Sequence, residues 1–477
     1  MLRKQFNVAA LYTAASGRLA WTKAQLRPYV VHDYDDEQTP SSWMFDTFLL
    51  LDFKVRDGNV NYSVETSFLS QCTVAKKSHW IKLMDSYFGD ENATDSILSR
   101  LDEVVGEVKQ ELGNPGFKHK VILCVPEPIS CYVNPSNSGG RIPIYSINDI
   151  PQELQSAYVW NDIREANEED ITFFRIEKPN GGTDAKHEHS ACSASVKWFV
   201  HECVTRWLAA GFENLDLVGF YWIGEGSPGW YVAFDTFLEL SSYIHEDLLQ
   251  EFGLDLFLCF APYSSYYWGV WTDNGQWTPY RQQCPAFDLV FAQPGYSASH
   301  GADATTEYTT RLLYTVNLAA SLGDGVVFET DEHCLYGCEA DHDRYLRVGR
   351  YLDVLNNRYS MSLFYYMGNG LLAYAYDAQT PKVIGQYSFS FSDEDYEFLD
   401  RLAGFISRRR HQIELYNNAD VNEDGDVDVV DLNIVLNEML GYNTGYSDRA
   451  DVNQDGSVDI SDYNAAQNVM LGGLANI

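Results

Sequence analysis

Eight short, apolar, β-rich runs punctuate residues 1–412, and most of the stretches between them carry apolar residues at three- and four-residue spacing. The runs are Asn7–Tyr12, Met44–Phe53, Lys120–Pro126, Asp216–Trp222, Leu256–Ala261, Leu289–Pro294, Val326–Thr330 and Ser362–Met367. Between them lie helical segments such as "ILSRLDEVVGEVKQEL", "VKWFVHECVTRWLAAGF", "LLYTVNLAASLG" and "RYLRVGRYLDVLNNRY", and "DYEFLDRLAGFISRRR" follows the eighth strand. Apolar strands that alternate with helices form a parallel sheet, because each crossover needs a helix-length connection. Eight such units predict a (β/α)8 TIM barrel over residues 1–412, a fold that builds its active sites at the C-terminal ends of its strands.

The composition allows this. A chain of 477 residues, 45% hydrophobic and 14% aromatic, can bury one large core and hold a smaller unit beside it. Its net charge of -35 would repel nucleic acid or an anionic membrane at long range, so neither is expected as a partner. No apolar run approaches the ~20 residues that span a bilayer. Nine cysteines are too sparse for a disulfide scaffold, and the odd number leaves at least one thiol unless pairing is intermolecular. Cys124 with Cys131, or Cys334 with Cys338, would be local bridges, but Cys124 inside an apolar strand reads better as a small buried hydrophobe. The opening "FNVAALYTAASG" reads as a first strand rather than a signal peptide, since Asn7, Tyr12 and Thr13 make a poor apolar core; any export signal then lies outside this sequence.

The chemistry is expected at the strand exits. The fourth strand runs out through "LDLVGFYWIGEG" to Glu225, and the seventh, in "GDGVVFETDE", delivers Glu329 with Asp331 just beyond. Two acids three βα units apart would face each other across a barrel mouth. Glycosidic-bond cleavage needs such a pair: one carboxyl gives a proton to the leaving oxygen, and the other attacks or activates water. The alternative is two rim acids that cap helices or pair with arginine. Around the acids, Tyr221 and Trp222, the Tyr263, Tyr266, Tyr267 and Trp268 of "FAPYSSYYWGVW", and Gln293 and Tyr296 of "FAQPGYS" offer aromatic faces and hydrogen bonds of the kind sugars use. Glu127, at the exit of strand three, is a further substrate-site candidate. It opens a long Gly-, Pro- and Asn-rich insertion reaching about Ser193, and a loop of that length on this face commonly serves a site. Within the insertion, His187 and His189 would suit a metal, though two histidines in a charged loop are more often simply solvated.

The placement of these acids resembles the large clan of retaining glycoside hydrolases with a (β/α)8 barrel. That resemblance implies Glu225 as acid/base and Glu329 as nucleophile. The sequence departs from the clan at Gly224, where the clan normally has an Asn that contacts the sugar 2-hydroxyl. The motifs "NVAALYTA", "WMFDTFLLLDF", "VILCVPEP", "LDLVGFYWIGEG", "FDLVFAQPGYS" and "GDGVVFETDE" together resemble an uncharacterised barrel family of secreted proteins from carbohydrate-degrading anaerobic bacteria, over about residues 5–410.

The remaining residues, 413–477, read as a separate acidic unit, with 13 Asp and Glu against one Arg. They contain a duplicated loop, "DVNEDGDVDVVD" from Asp420 and "DVNQDGSVDISD" from Asp451. Each places oxygen side chains at positions 1, 3, 5, 9 and 12 and glycine at 6, an EF-hand-like pattern for calcium. The expected ligands are Asp420, Asn422, Asp424, Asp428 and Asp431 with the carbonyl of Asp426, then Asp451, Asn453, Asp455, Asp459 and Asp462 with the carbonyl of Ser457. Each loop leads into a short apolar helix, so the tail is expected to be a small helical calcium module with two sites. Paired loop–helix repeats with Asp at position 12 resemble type I dockerins, which attach enzymes to cohesin domains. Many dockerins carry a Ser/Thr pair at positions 10 and 11, where this chain has Val429-Val430 and Ile460-Ser461. The whole chain is therefore expected to be an extracellular or cell-surface glycoside hydrolase acting on a polysaccharide or glycan. The rival expectations are a non-catalytic carbohydrate-binding barrel and a hydrolase built on the loop histidines and a metal.

Overall fold

The computed structural model of the chain describes residues 6–13, 21–32, 42–52, 54–55, 60–61, 73–74, 77–90, 96–113, 118–126, 131–133, 141–143, 190–224, 234–262, 270–271, 277–278, 286–296, 308–330, 342–356, 358, 361–367, 370–380, 383–384, 387–388 and 391–472. All eight expected strands are present: β1 (Asn7–Tyr12), β2 (Thr47–Leu51), β3 (His119–Val125), β4 (Leu215–Trp222), β5 (Phe257–Phe260), β6 (Leu289–Ala292), β7 (Gly325–Thr330) and β8 (Leu363–Met367). They close into a barrel in which each strand lies beside its neighbours in sequence and β1 beside β8. Every described pairing within the barrel is parallel. The second strand begins three residues later than expected because Met44 and Phe45 are already committed, their N–H groups donating to Val30 O and Tyr29 O.

Among the described residues the helices include α1 (Lys23–Val30), α2 (Lys77–Phe88), α3 (Ile97–Leu112), α4 (Ser190–Ala210), α5 (Phe234–Ser242), which runs on through a π-helical turn (Tyr243–Leu248) and Leu249–Phe252, α6 (Tyr314–Leu322), preceded by a π-helical turn (Tyr308–Leu313), α7 (His342–Leu355), α8 (Leu371–Tyr376), α9 (Asp393–Ala419), α10 (Val429–Met439) and α11 (Ile460–Met470). Between β5 and β6 the described residues hold a paired set of two-residue strands, Val270–Trp271 and Trp277–Thr278, where a helix was expected. No helix among the described residues is long and apolar enough to cross a membrane.

Two compact units divide the chain. One comprises Ala10–Arg27 and Phe48–Gly295. Its α3 shows how the sequence writes a helix. Ser96 caps the N-terminus with a box closed by Ser99, Gly113 at φ 68° ends it, and Ile97, Leu98, Leu101, Val104, Val105 and Val108 form its buried stripe. In β4 the register against β3 shifts between Leu217 and Gly219. A Cβ at 219 would stand 2.5 Å from the Phe257 carbonyl oxygen, so only glycine lets β4 approach β5 there. Cys124, Cys203 and Cys259 are buried free thiols, which answers the bridge question for Cys124.

The other unit comprises Met1–Ala9, Pro28–Thr47 and Tyr296–Ile477. Phe328 of β7 packs against Tyr365 of β8 and Phe405 of α9, with ring centres 5.3 and 6.5 Å away. Arg409 of α9 is fully buried and donates to the carbonyls of Leu355, Arg358 and Met361, the turn leading into β8. Burial lowers its guanidinium pKa to about 10, and the three carbonyls replace the water it lost. The same helix runs on unbroken past Arg410 for nine residues, so the boundary expected between 412 and 413 falls inside α9. Leu415, Tyr416 and Ala419 at its end join Val421, Leu432, Ile434, Val435, Ala450, Val452, Ala466 and Val469 in a small core of the tail.

Candidate functional site

Strand β7 forms because Gly323, at φ 69°, ends α6 and the following Gly325–Phe328 segment is apolar and buried. It then delivers Glu329, half-buried, at its exit. The Glu329 carboxylate accepts from the backbone N–H of Tyr296 at 3.1 Å and from the Tyr351 hydroxyl at 2.6 Å, both on Oε2. Tyr296 is itself clamped from α7. Arg347 donates to its carbonyl at 2.8 Å and lies 5.0 Å over its ring, while Arg350 donates to its hydroxyl at 2.8 Å. Two hydrogen-bond donors on one oxygen are an arrangement that suits a charged carboxylate as acceptor.

The other sequence-derived positions fare differently. Glu225, Glu127, Asp331, Tyr263, Tyr266, Tyr267, Trp268, His187 and His189 lie outside the described residues. Tyr221 and Trp222 are 2% and 1% exposed, and the Trp222 ring meets Phe237 edge-on at 4.7 Å. Both rings belong to the barrel wall, so they lack the open face a sugar would stack on. Tyr296 is fully buried too, and its hydroxyl is engaged by Arg350, which makes it a support for Glu329 rather than a sugar platform. Gln293 donates to Ala261 O at 2.7 Å, tying the end of β6 to the end of β5. Sequence reasoning passed over Arg347, Arg350 and Tyr351. Their i, i+3, i+4 spacing in the helix after the seventh strand was the available signal, since it sets three polar side chains on one face.

In the tail, the two loops repeat the same pattern of backbone N–H bonds to side-chain oxygens. Asp420 accepts from the N–H groups of Asp424 and Gly425, as Asp451 does from Asp455 and Gly456. Asp431 accepts from Asn422 N and Asp428 N, and Asp462 from Asn453 N and Asp459 N. Asp428 and Asp459 cap α10 and α11. Position 4 is left-handed in both, with Glu423 and Gln454 at φ 58°, and the glycines at position 6 stand at φ 98° and 93°. Among the described residues no three His, Cys, Asp or Glu side chains already stand as a metal cluster; the loop carboxylates are turned onto their own backbone N–H groups. The donor set nevertheless fits calcium. It is all oxygen, repeated at the same positions on the same turn geometry, and calcium's flexible shell of oxygens at 2.3–2.6 Å suits such loops. Burial pushes the Asp420 carboxyl up to about 6, with the charges of Asp431 and Asp424 adding to it, and burial also raises Asp431. Cation binding would relieve that crowding.

A family profile described as Domain of unknown function (DUF4855) matches residues 7–389, and one described as Dockerin type I domain matches residues 418–471. No curated protein matches the chain. Among solved structures, a double mutant of an endo-beta-1,4-mannanase from Cellulomonas fimi is 9% identical with a TM-score of 0.35, covering 85% of this chain and 71% of its own. A GH26 beta-mannanase from Bacteroides ovatus is 10% identical with a TM-score of 0.34, covering 86% and 90%. Endo-glycoceramidase II from Rhodococcus sp. is 12% identical with a TM-score of 0.34, covering 85% and 79%.

Proposed function

The chain belongs to the family described as Domain of unknown function (DUF4855) and ends in a type I dockerin domain, and from that premise we propose that its barrel is a retaining glycoside hydrolase. The observation that supports this most is Glu329. It leaves the seventh strand of a closed parallel barrel with two hydrogen-bond donors on one carboxylate oxygen. A carboxylate oxygen that already accepts two hydrogen bonds suits a nucleophile better than a proton donor. Glu225, which follows β4 in sequence, takes the complementary role.

In the first step Glu225 gives its proton to the glycosidic oxygen as the bond to the anomeric carbon breaks, and Glu329 forms an ester with that carbon. In the second, water attacks the same carbon, Glu225 takes a proton from it, and Glu329 leaves as a carboxylate. Glu127, Tyr263, Tyr266, Trp268 and Asp331 are assigned to the sugar, which is a unit of a polysaccharide or complex glycan. Dockerin type I domains generally bind calcium and dock on cohesins. We assign one ion to each loop, with the ligands read from the sequence, and a cohesin as the docking partner. The protein works outside the cell or at its surface.

The test is a screen of the full chain against complex glycans, with Glu225→Gln and Glu329→Gln alongside. Release of sugar by the wild type and by neither variant is expected. A wild type that binds a glycan and never cleaves it would make the barrel a carbohydrate-binding module instead.

A further inference from the structure

We infer that Tyr351 is a positioning residue whose hydroxyl fixes the Glu329 carboxylate for its reaction, and that the 347–351 face of α7 is the scaffold for both donors on that carboxylate. This rests on the reading of Glu329 as the nucleophile. The Tyr351 hydroxyl stands 2.6 Å from Glu329 Oε2, within the range of a charge-assisted O–H···O⁻ bond. The residue is fully buried, its ring tilted against Tyr296 at 5.8 Å and Phe328 at 5.2 Å, so the hydroxyl has little freedom to turn elsewhere. The second donor, the Tyr296 N–H, is held by the same helix, because Arg347 and Arg350 grip the Tyr296 carbonyl, ring and hydroxyl. One face of α7 therefore governs both bonds to Oε2.

The chemistry gives such a group two uses. Donors on Oε2 resist rotation of the carboxyl plane, which keeps an attacking oxygen aligned. They also favour the ionised carboxylate, which is both the nucleophile of the first step and the leaving group of the second. A tyrosine that served only to pack would do neither. Among the described residues, the titratable and charged groups that bear on Glu329 include Tyr296 at the exit of β6 and Tyr351 on α7, which donate to it, Arg347 and Arg350, which hold Tyr296, and Tyr366, its register partner on β8.

The experiment follows the Glu329 carboxyl by 13C NMR of the full chain labelled at glutamate Cδ, with the signal assigned by its loss in Glu329→Gln. Tyr351→Phe keeps the ring and removes the donor. It should raise the Glu329 titration midpoint by about one unit, a tenfold gain in proton affinity. Replacement of Tyr351 by 3-fluorotyrosine, a stronger donor, should lower the midpoint and keeps the test alive if the phenylalanine variant folds poorly. A midpoint unmoved in the folded variants overturns the proposal. Mass-spectrometric capture of Glu329 by a panel of 2-deoxy-2-fluoroglycosyl fluorides tests the nucleophile reading separately. A moved midpoint without capture keeps the Tyr351 bond and removes the glycosidase; capture with an unmoved midpoint keeps the glycosidase and removes the role of Tyr351.

Discussion

The barrel and the tail place carboxylates in opposite surroundings. In the barrel, Glu329 sits among buried aromatic rings and takes donors from other elements, a backbone N–H at the exit of β6 and a hydroxyl on α7. In the tail, each loop's carboxylates take donors from within the same twelve residues, and the apolar core beneath them is small. A carboxylate held by a long-range scaffold has its orientation set by residues distant in sequence. One held by its own loop keeps its neighbours' negative charge close, and a cation relieves it.

The comparison breaks most sharply at the barrel acids. Glu329→Gln and Glu225→Gln should each lower turnover by about 10²–10⁴-fold or more, while the thermal unfolding of the barrel stays close to wild type. Aryl glycosides with good leaving groups should partly restore the first step in Glu225→Gln and leave Glu329→Gln inactive. Burst kinetics check this, and the reverse pattern would exchange the two roles.

Calcium should divide the regions next. At a hundred- to thousandfold excess over its Kd, an ion that binds the folded loops alone adds about 3–4 kcal/mol of stability. Hydrogen exchange of the full chain is expected to slow across residues 420–470 when calcium replaces chelator, with β3–β6 unchanged. Asp420→Ala with Asp451→Ala should abolish the slowing. Exchange that is equally slow in chelator would deny the loops their metal.

A smaller effect tests where the tail begins. Because α9 is one helix from Asp393 to Ala419, calcium-dependent protection should spread back from Ala419 toward Ile413 and fade near Arg409, which the barrel side already holds. A sharp edge at residue 420 would make the tail an independent body.

The smallest expected effect is a pH dependence. Asp420 has a folded pKa of about 6, above the ordinary 3.8, so its contribution to the metal-stripped fold is fully present below 3.8 and lost as pH rises through 6. Metal-stripped protein should therefore lose tail stability between pH 4.5 and 7.5, and Asp420→Asn should flatten part of that loss. Calcium affinity should run the other way, falling as pH drops below about 6, because protons compete for the ligand. Melting of the tail at the two pH values, with and without calcium, checks both signs.

Much of this was legible in one dimension. Every strand of the barrel was visible as an apolar run, since a strand buried on both faces cannot hide its composition. The duplicated acidic loops were equally legible, because their carboxylates, glycine and cap all fall within twelve residues. The burial of Tyr221, Trp222 and Tyr296 was not, since an aromatic residue at a strand end reads the same whether its ring meets solvent or a neighbouring helix.

The amino-acid order by itself thus determined what depends on local spacing: the alternation that makes a parallel barrel, the exit of Glu329 from the seventh strand, and the duplicated loop. Only the tertiary structure decided what depends on residues distant in sequence. It brought Tyr351 and the Tyr296 N–H onto one oxygen of Glu329, set Arg347 and Arg350 behind Tyr296, and carried α9 without a break into the core of the tail. The physical reason is that a hydrogen bond between distant residues leaves no periodicity in the sequence, whereas a strand, a helix face and a duplicated loop each leave a local pattern.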